Sequence, residues 1–389
     1  MALKCSSRSG LSSFMVMDVM AKAAVLEAQD INVTHLEVGQ PSTGAPVAAS
    51  RAIIDALDDP ASHGYTLPLG IDPLRQGIAR HYKRWYDLDI SADNVIATVG
   101  SSLGFAMAFL TCFDHGDRVA ITNPGYSAYR NLMTSVGLEA VSIPAGPDQN
   151  WMPQIADIAA LDPLPDGLIM ASPSNPTGVV MPPEDLKALA MWCHSNGVRL
   201  ISDEIYHGIT FDADAATAVA FSPSAIVVNS FSKYFSMTGH RVGWMVVPND
   251  LIDPIDRLAS NAVISVPTLS QIAATAAITD EHALAELESH VARYRINRDI
   301  LMNGLSDRFL GKVAPPEGAF YIYADTSRIS NDSLALADRL LNEAHVATTS
   351  GMDFDLEQGH LALRLSFAGT TEDMKEGVRR INAWVANNT

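Results

Sequence analysis

Residues 198–206 (VRLISDEIY) and 225–233 (AIVVNSFSK) share one pattern, a short apolar run that ends in polar and aromatic side chains. A run that is apolar at nearly every position indicates a strand that is buried on both faces of a sheet. Seven such runs are predicted as strands, with helical stretches between them: Asn94–Val99, Arg118–Thr122, Ala140–Ile143, Gly167–Ala171, Val198–Ser202, Ala225–Ser230 and Val242–Val247. Because strands that alternate with helices build parallel sheets, the sequence predicts an α/β fold. Its central sheet is expected to be mostly parallel and covered by helices on both faces.

The sequence pattern changes near residue 285, which predicts a domain boundary there. The total of 389 residues is more than one domain usually contains, so at least two domains are expected. Residues 46–285 carry the strand runs and form the predicted large domain. Residues 286–389 form the predicted small α+β domain, and residues 1–45 are interpreted as an N-terminal arm and part of that small domain.

Two helices and two strands are predicted outside the main run of strands. Phe14–Gln29 has apolar residues near helical spacing, which predicts an amphipathic helix. A long charged helix is predicted over Glu281–Leu310, where it leads into the small domain. Two strands are predicted beyond this helix, near Ala319–Ala324 and Leu361–Phe367.

The charge balance excludes two classes of partner. The chain has 26 basic and 44 acidic residues, and its formal net charge is −18. Binding to nucleic acid or to an anionic membrane surface needs an electropositive patch, so neither partner is expected. We therefore expect anionic ligands to meet positive charge only inside a local pocket.

The cysteines and the apolar segments indicate the setting of the protein. The three cysteines, Cys5, Cys112 and Cys193, cannot form a disulfide framework, and no Cys-x-x-Cys pair is present for zinc or redox chemistry. No segment is apolar enough to predict a membrane span, and no secretory signal is recognised near the first residues. A cytoplasmic protein without a metal site is therefore expected.

The residues that follow the predicted strands form the candidate site, because parallel sheets bind ligands beyond the carboxyl ends of their strands. Polar and aromatic side chains are concentrated at these positions. The segments are Gly100–Ser102, Asn123–Tyr126, Ser172–Pro176, Asp203–Tyr206 and Ser230–Lys233. The pattern predicts that these segments meet at one edge of the sheet.

The first of these segments allows two interpretations. Residues 100–104 (GSSLG) match the G-x-S-x-G nucleophile elbow of hydrolases, and His345 and His360 follow in a suitable chain order. The same strand-to-helix turn also suits a phosphate, because free backbone N–H groups and the helix dipole attract an anion. The turn by itself leaves both interpretations open.

Five other residues, which lie later in the chain, favour the phosphate interpretation. Lys233 lies in an aromatic stretch with few charges, where desolvation lowers the pKa of a lysine and leaves an amine that can bond to an aldehyde. Arg241 is a second cation, suited to phosphate oxygens. Asp203 ends an apolar strand, where a carboxylate is costly unless it meets a cation such as a protonated heterocyclic nitrogen. Tyr206 and Asn175 are additional hydrogen-bonding groups at the same edge.

Taken together, these residues resemble the class I/II aminotransferases, which are pyridoxal-phosphate (PLP) enzymes of fold type I, and in particular aspartate aminotransferase subgroup I. The resemblance extends through nearly the whole chain and depends on the joint order and spacing of many short segments. They are Gly39–Pro41, Gly64–Thr66, Leu74–Arg75, Gly100–Ser102, Asn123–Tyr126, Asn175–Gly178, Asp203–Tyr206, Ser230–Lys233, Gly239–Trp244, Glu317–Tyr321 and Arg364–Ala368.

The resemblance implies a role for each residue of a PLP site. Lys233 would hold PLP as an aldimine and carry the proton between the substrate Cα and the cofactor. Asp203 would keep the pyridine nitrogen protonated, while Asn175 and Tyr206 would donate hydrogen bonds to the ring oxygen. Further cofactor contacts are implied for Gly100, Ser101, Ser102, Tyr126, Ser230, Ser232, Arg241 and, from a second subunit, Tyr65.

The resemblance also implies the substrate contacts and the oligomer. Arg364 would bind the α-carboxylate of the amino acid, next to Asn175, and Gly39 would allow the backbone to approach the substrate. Because Tyr65 would reach into a neighbouring site, a homodimer with shared active sites is implied. The small-molecule partners would be an amino acid and a 2-oxo acid.

The sequence departs from the relatives that act on dicarboxylates. Those relatives often carry a cation near the Gly100 turn, whereas this chain has Ser101, Ser102 and Leu103 there. We therefore predict an aminotransferase with a broad or a neutral and hydrophobic substrate range. An aspartate-specific aminotransferase and a PLP-dependent carbon–sulfur lyase on the same fold remain alternatives. The aminotransferase-like sensor domain of a transcription regulator is disfavoured, since no basic DNA-binding module precedes the core in this sequence.

Overall fold

The structure, a computed structural model, describes residues 3–388. The strands in this range are β1 Thr34–His35, β2 Val95–Thr98, β3 Arg118–Asn123, β4 Glu139–Pro144, β5 Gly167–Ala171, β6 Arg199–Asp203, β7 Ile226–Ser230, β8 Gly243–Val246, β9 Tyr321–Asp325, β10 Val346–Ala347, β11 Thr349–Ser350 and β12 Ala362–Ser366. The α-helices there are α1 Met15–Glu27, α2 Val47–Ala56, α3 Asp72–Tyr86, α4 Gly100–Cys112, α5 Ser127–Val136, α6 Ile155–Ala159, α7 Pro183–Ser195, α8 Asn249–Ala262, α9 Thr268–Thr279, α10 Glu281–Gly304, α11 Ser333–Arg339 and α12 Thr371–Asn388.

The central sheet has seven strands in the order β2-β8-β7-β6-β5-β3-β4. Strands β4, β3, β5, β6 and β7 pair in parallel, whereas β8 is antiparallel to both of its neighbours. All seven strands predicted from the sequence are present, and their ends differ from the prediction by at most one residue. The prediction of a mostly parallel sheet is therefore confirmed.

Both faces of the central sheet are buried. Successive side chains of a strand point to opposite faces. In β5, Leu168 and Met170 belong to one buried apolar cluster and Ile169 belongs to another, and β6 repeats this division with Leu200 and Ile201. Helices α3, α7 and α9 contribute side chains to the first cluster, and α4, α5 and α8 contribute to the second. This two-sided burial explains why the strand runs are apolar at nearly every position.

Two smaller groups of strands lie outside the central sheet. Strands β11, β12 and β9 form an antiparallel sheet, and β1 pairs in parallel with β10. The β1 strand thus joins the segment interpreted as an N-terminal arm to the last part of the chain. The boundary predicted between residues 285 and 286 falls inside α10, which is one continuous helix. The division into a large and a small domain stays a prediction.

The prediction for the long helix was wrong at its C-terminal end. Instead of continuing to Leu310, α10 ends at Gly304, because Leu305 has an extended backbone conformation (φ −73°, ψ 141°). The next amide, that of Ser306, donates to Oδ1 of Asn382 in α12 at 3.0 Å. This contact with a distant helix stabilises the end of α10, and Asn303-Gly304 is a local helix-stop signal that the prediction overlooked.

The reversed direction of β8 brings the two ends of one loop to the same edge of the sheet. Ser230, the last residue of β7, pairs with Gly243, the first residue of β8. The intervening loop, residues 231–242, therefore begins and ends at the carboxyl edge. Lys233 and Arg241 therefore lie at the edge of the sheet where β6 also ends, with Asp203 as its last residue.

One buried side chain holds the loop that carries Tyr65. Gln271 of α9 is fully buried, and its Oε1 accepts from the Ile71 amide at 2.8 Å. Its Nε2 donates to Oγ1 of Thr66 at 3.0 Å and to the Val266 carbonyl at 2.9 Å. The side-chain amide therefore connects the loop before α3 to the start of α9.

Replacing Gln271 with alanine would leave the Ile71 amide and the Val266 carbonyl without their partner. Each unsatisfied buried polar group costs about 1–3 kcal/mol, so we expect the free energy of unfolding to fall by about 2 kcal/mol or more, measured by urea titration. In the control variant Gln29→Ala, an exposed side chain that donates only to the Val25 carbonyl is removed, and the change should stay within about 0.5 kcal/mol. Equal stability of the two variants would contradict this role of Gln271.

Candidate active site

The amine of Lys233 lies in a cleft at the carboxyl edge of the sheet. Its Nζ donates to the Gly39 carbonyl at 2.6 Å. It is 5.8 Å from the ring centroid of Tyr206 and 5.9 Å from that of Phe320. The amine therefore has aromatic faces around it and a neutral carbonyl as its hydrogen-bond partner.

The surroundings of Lys233 favour the neutral amine. Burial lowers its pKa to about 8, and the positive charges of Arg364 and Arg241 act in the same direction. The negative charge of Asp203 opposes the shift without reversing it. A lysine of this kind can accept and release a proton near neutral pH, and its neutral form is a nucleophile.

Asp203 is a buried carboxylate with neutral hydrogen-bond partners. The hydroxyl of Tyr129 in α5 donates to its Oδ2, and the Ile205 amide donates to its Oδ1 at 3.0 Å. Burial raises the pKa of Asp203 to about 6, although both of these hydrogen bonds and the charge of Lys233 oppose the shift. A cationic ligand group beside Asp203 would stabilise its ionised form.

Asn175 and Tyr206 present hydrogen-bond donors to the same cleft. Oδ1 of Asn175 accepts from Nη1 of Arg364 at 2.9 Å, which sets the orientation of the side-chain amide and leaves its Nδ2 group available as a donor. The hydroxyl of Tyr206 lies 2.7 Å from the hydroxyl of Tyr321. Both residues are buried, so the donors are held in place.

Arg364 of β12 is buried but not fully paired. Besides Asn175, its guanidinium donates through Nη2 to the Glu37 carbonyl. Its Cζ lies 4.3 Å from the ring centroid of Tyr321 and 4.6 Å from that of Phe354, so the guanidinium is in contact with two aromatic rings. Its buried Nε has no hydrogen-bond partner within residues 3–388. An unpaired buried donor on a planar fork fits a carboxylate ligand.

The start of α4 forms a cradle for an anion together with Arg241. Gly100 has φ +68°, and a Cβ built on it would lie 2.5 Å from Nη2 of Arg241, so glycine allows the guanidinium this close approach. The amides of Ser101 and Ser102 are in the first turn of the helix, where no helical carbonyl is available to them. Free N–H groups and a guanidinium together suit a phosphate.

Two serine hydroxyls complete this cradle. Oγ of Ser230 donates to Oγ of Ser232 at 2.8 Å, and Nη1 of Arg241 lies 3.5 Å from the same Ser232 oxygen. Arg241 is anchored by a hydrogen bond from Nη1 to the Thr238 carbonyl at 2.9 Å. The predicted phosphate contacts therefore lie together, and hydroxyls are suitable donors for phosphate oxygens.

The remaining predicted site residues are Tyr126, Gly39 and Tyr65. Tyr126 makes edge-to-face contacts with Phe14 and with Tyr129, at centroid distances of 5.9 Å and 5.3 Å. A Cβ built on Gly39 would lie 1.7 Å from the Tyr321 hydroxyl, so the backbone there tolerates only glycine. The side chain of Tyr65 is 82% exposed and is not brought into this cleft by its own chain.

A comparison with family models identifies the chain. The model described as aminotransferase class I and II matches residues 31–381. The chain belongs to the class I and II aminotransferases.

Individual relatives agree with this family. The chain is 46% identical over 380 residues to the valine–pyruvate aminotransferase of Mycobacterium tuberculosis, and the match covers 97% of each chain. It is 33% identical over 365 residues to the aspartate/prephenate aminotransferase of Thermus thermophilus, with 93% of each chain covered. A crystal structure of an aminotransferase from Mycobacterium tuberculosis matches with a TM-score of 0.96 and 44% identity, covering 99% of this chain and 100% of that one. The predictions of an aminotransferase and of its fold are confirmed.

Three contacts in the aminotransferase site were not predicted from the sequence. Tyr129 holds Asp203, and its position three residues after Tyr126 in a predicted helix could have suggested that both face the site. Phe354 covers Arg364 from a loop whose sequence gives no such signal. Glu37 acts through its backbone carbonyl, which no side-chain pattern can indicate.

The alternative of a serine hydrolase is wrong for this aminotransferase. The side chain of Ser102 is exposed, and within the described part of the chain no histidine forms a hydrogen bond with it. His360 bonds to the Glu357 carbonyl, and the carbonyl of His345 accepts from Arg380. The turn at residues 100–104 therefore has no base that could activate a serine.

Within residues 3–388 no group of three or more histidine, cysteine, aspartate or glutamate side chains could hold a metal ion. None of the helices in that range has the length and apolar content that a bilayer crossing requires.

The lowered pKa of Lys233 predicts that its charge destabilises the folded aminotransferase, by an amount that depends on pH. The pKa falls from its ordinary 10.5 to about 8 in the folded state, so the unfolded chain binds this proton more tightly and stability rises between those pH values. Lys233→Met removes the charge, and we expect a gain in the free energy of unfolding of about 1–2 kcal/mol near pH 7. The gain should disappear above the ordinary lysine pKa, as measured by urea titration across pH.

The control for this prediction is Lys187→Met. Lys187 is exposed on α7, so removing its charge should give no comparable pH-dependent gain. The prediction fails if Lys233→Met is no more stable than the wild type near neutral pH.

Proposed function

We propose that this aminotransferase is PLP-dependent and moves the amino group of a neutral L-amino acid to a 2-oxo acid such as pyruvate. The observation that carries the proposal is geometric: the Lys233 amine donates to the Gly39 carbonyl, and the Tyr321 side chain beside Gly39 contacts Arg364. Asp203 and Arg241 lie at the same carboxyl edge of the sheet. The Lys233 amine suits an aldehyde, and the Arg241 guanidinium suits a phosphate. The Asp203 carboxylate suits a protonated ring nitrogen, and the Arg364 guanidinium suits the substrate carboxylate. The class I and II family is in general PLP-dependent, which agrees with this set of groups.

The contacts of the candidate site fit both ends of the PLP molecule. In the proposal, the phosphate lies in the cradle formed by Gly100, Ser101, Ser102, Ser230, Ser232 and Arg241. At the other end, the ring nitrogen would lie beside Asp203, whose carboxylate accepts hydrogen bonds from the neutral Tyr129 hydroxyl and Ile205 amide. Nδ2 of Asn175 and the hydroxyl of Tyr206 then donate to the ring oxygen, and Tyr126 lies against the ring face.

The residues of the chain divide the work of amino-group transfer. When bound, PLP supplies an electron-deficient ring that accepts the negative charge left at the substrate Cα. Lys233 would hold the cofactor through Nζ, and once the amino acid is bound it would move the proton at Cα as a general base and acid. Asp203 would keep a proton on the ring nitrogen. Arg364 binds the α-carboxylate, and Gly39 leaves space for the substrate backbone atoms.

The choice of a neutral substrate rests on three observations. The relative with 46% identity is named valine–pyruvate aminotransferase. No lysine or arginine stands beside the Gly100 turn in the sequence, where a distal carboxylate would need one. The ring of Phe14 against Tyr126 adds an apolar wall to the cleft. Aspartate is the second candidate substrate, because another relative is named aspartate/prephenate aminotransferase. A carbon–sulfur lyase would use the same residues.

A homodimer with shared active sites is part of the proposal. Tyr65 and Leu67 are 82% and 74% exposed, although they are neighbouring hydrophobic residues on a loop that Gln271 holds in place. Such an exposed apolar pair is typical of a surface that a partner covers. Covering it with a second copy would bring Tyr65 to the neighbouring phosphate cradle. The cysteines are unpaired, which supports the proposed cytoplasmic location.

The substrate is tested by steady-state kinetics of the PLP-loaded enzyme with pyruvate as acceptor. Because aspartate would leave its distal carboxylate without a charged partner, we expect its kcat/KM to be lower than that of valine by roughly tenfold or more. A preference for aspartate would contradict the neutral-substrate proposal. Formation of a 2-oxo acid without any acceptor would instead indicate a lyase.

The control for the reaction chemistry is a pair of lysine variants. Lys233→Ala should lose the visible absorbance of covalently bound PLP and nearly all turnover, because Lys233 is the amine to which the aldehyde is proposed to bond. Lys187→Ala, an exposed change on α7, should retain both. Unchanged turnover in Lys233→Ala would refute the assignment.

The shared site predicts an effect of Tyr65→Phe on cofactor retention. If the hydroxyl reaches the phosphate in a partner subunit, its loss should raise the dissociation constant of PLP by roughly fivefold, as expected for one hydrogen bond. The apolar ring is kept, so the dimer should persist in sedimentation experiments. An unchanged PLP dissociation constant in an intact dimer would contradict the proposed contact.

A further inference from the structure

Tyr321 of β9 contacts three groups of the candidate active site, although no role has yet been assigned to it. Its hydroxyl lies 2.7 Å from the hydroxyl of Tyr206. The centroid of its ring lies 4.3 Å from Cζ of Arg364. The same hydroxyl lies so close to Gly39 that a Cβ there would be only 1.7 Å away. One buried side chain thus touches the cofactor side and the substrate side of the cleft.

The register of the strands explains this position. In the pairing of β9 with β12, Arg364 lies opposite Tyr323 and Ser366 lies opposite Tyr321. Directly opposed residues share a face of the sheet, so Tyr321 and Arg364 are diagonal neighbours on one face. The centroid of the Phe354 ring lies 4.6 Å from the same Cζ. The guanidinium is therefore in contact with two aromatic rings.

The hydrogen bond between the two tyrosines has only one direction that serves the proposed site. A phenol has one proton to donate. If the proton of Tyr206 is given to the ring oxygen of PLP, then the oxygen of Tyr206 must accept the proton of Tyr321. A hydroxyl that accepts a hydrogen bond becomes a stronger donor, because neighbouring hydrogen bonds polarise one another.

Several charged or titratable groups face the two tyrosines. Arg364 of β12 and Tyr126 before α5 act electrostatically on Tyr206, and Arg364 also acts on Tyr321. Lys233 of the loop 231–242 has its Nζ 5.8 Å from the ring of Tyr206. A change confined to the Tyr321 hydroxyl leaves all of these groups in place, so its effect can be separated from theirs.

We propose that Tyr321 is a positioning residue for both parts of the site: its hydroxyl directs the Tyr206 proton to the ring oxygen of the cofactor, and its ring holds the Arg364 guanidinium flat for the substrate α-carboxylate. This inference rests on the proposed PLP-dependent function. It predicts that the two effects can be separated by substitution, since the hydroxyl serves one and the ring serves the other.

The first experiment is a pH titration of the visible absorbance of PLP in the loaded Tyr321→Phe enzyme. A weaker donor at the ring oxygen stabilises its anionic form less, so the apparent pKa of the bound cofactor should rise by about half a unit to one unit. The KM for valine should stay within about twofold, because the ring over Arg364 is kept. An unchanged titration would overturn the role of the hydroxyl.

The second experiment removes the ring with Tyr321→Leu. The titration should shift as in Tyr321→Phe, and the KM for valine should in addition rise by roughly fivefold, as expected for the loss of a cation–π contact. A KM equal to that of Tyr321→Phe would overturn the role of the ring. Circular dichroism and thermal unfolding establish that each variant is folded.

Tyr323→Phe is the matched control on the same strand. Tyr323 is also buried, but its hydroxyl has no hydrogen-bond partner in the described part of the chain, so its removal should change neither the titration nor KM. A shift equal to that of Tyr321→Phe would overturn the inference, since any buried hydroxyl on β9 would then have the same effect.

A double-mutant cycle ties the effect to Tyr206. In the Tyr206→Phe background, Tyr321→Phe should cause no further shift of the titration, because the acceptor of its proton is gone. Independent, additive shifts would contradict the proposed direction of the hydrogen bond. If the wild-type enzyme itself failed to take up PLP, the proposed function would be refuted, whereas a normal wild type with an unshifted Tyr321→Phe refutes only this inference.

Discussion

The amine of Lys233 is held by the neutral carbonyl of Gly39, and the rest of the site depends on this choice of partner. A carboxylate in direct contact would keep the lysine protonated, whereas burial and the nearby cations lower its pKa. Asp203 lies close enough to act on the amine, but its oxygens accept from Tyr129 and from the Ile205 amide. Lys233 and Asp203 are therefore not paired with each other, and each remains available to a ligand.

Such a cleft is costly to fold, because partly paired charges and an unpaired guanidinium nitrogen are removed from water. The cost is offset by the apolar clusters on the two faces of the central sheet. Asp203 ends β6, and Lys233 and Arg241 lie on the loop between β7 and β8, so these three charges stand at the edge of the central sheet. Their positions are therefore set by the part of the molecule that is hardest to deform.

The sequence predicted those parts of the molecule that depend on side-chain chemistry along the chain. Strands buried on two faces are continuous apolar runs, so β2 to β8 were predicted almost to the residue. Lys233 and Asp203 were candidates because a charged side chain beside a buried apolar strand requires a ligand or a partner, whereas the roles of Asn175 and Arg364 were implied by the resemblance. Their meeting in one site was implied by the resemblance and stays a prediction, which the hydrogen bond from Arg364 to Asn175 supports.

The contacts that were missed depend on distant atoms. The Tyr129 hydroxyl reaches Asp203 across the sheet edge, and the Glu37 carbonyl reaches Arg364 from a segment far away in sequence. The end of α10 is likewise stabilised by Asn382 of another helix. Backbone acceptors and tertiary caps leave no periodicity, so a single sequence cannot reveal them.

The loop 231–242 has a consequence for ligand length. Both of its ends are fixed in the sheet by the pairing of Ser230 with Gly243, and it carries Lys233 near one end and Arg241 near the other. The spacing between an amine and a guanidinium is thus built into a single hairpin and does not depend on how β9, β11 and β12 are placed. In the proposed complex, this loop would set the distance between the aldehyde and the phosphate of the cofactor. Substrate preference can then change through other segments of the chain while that distance stays the same.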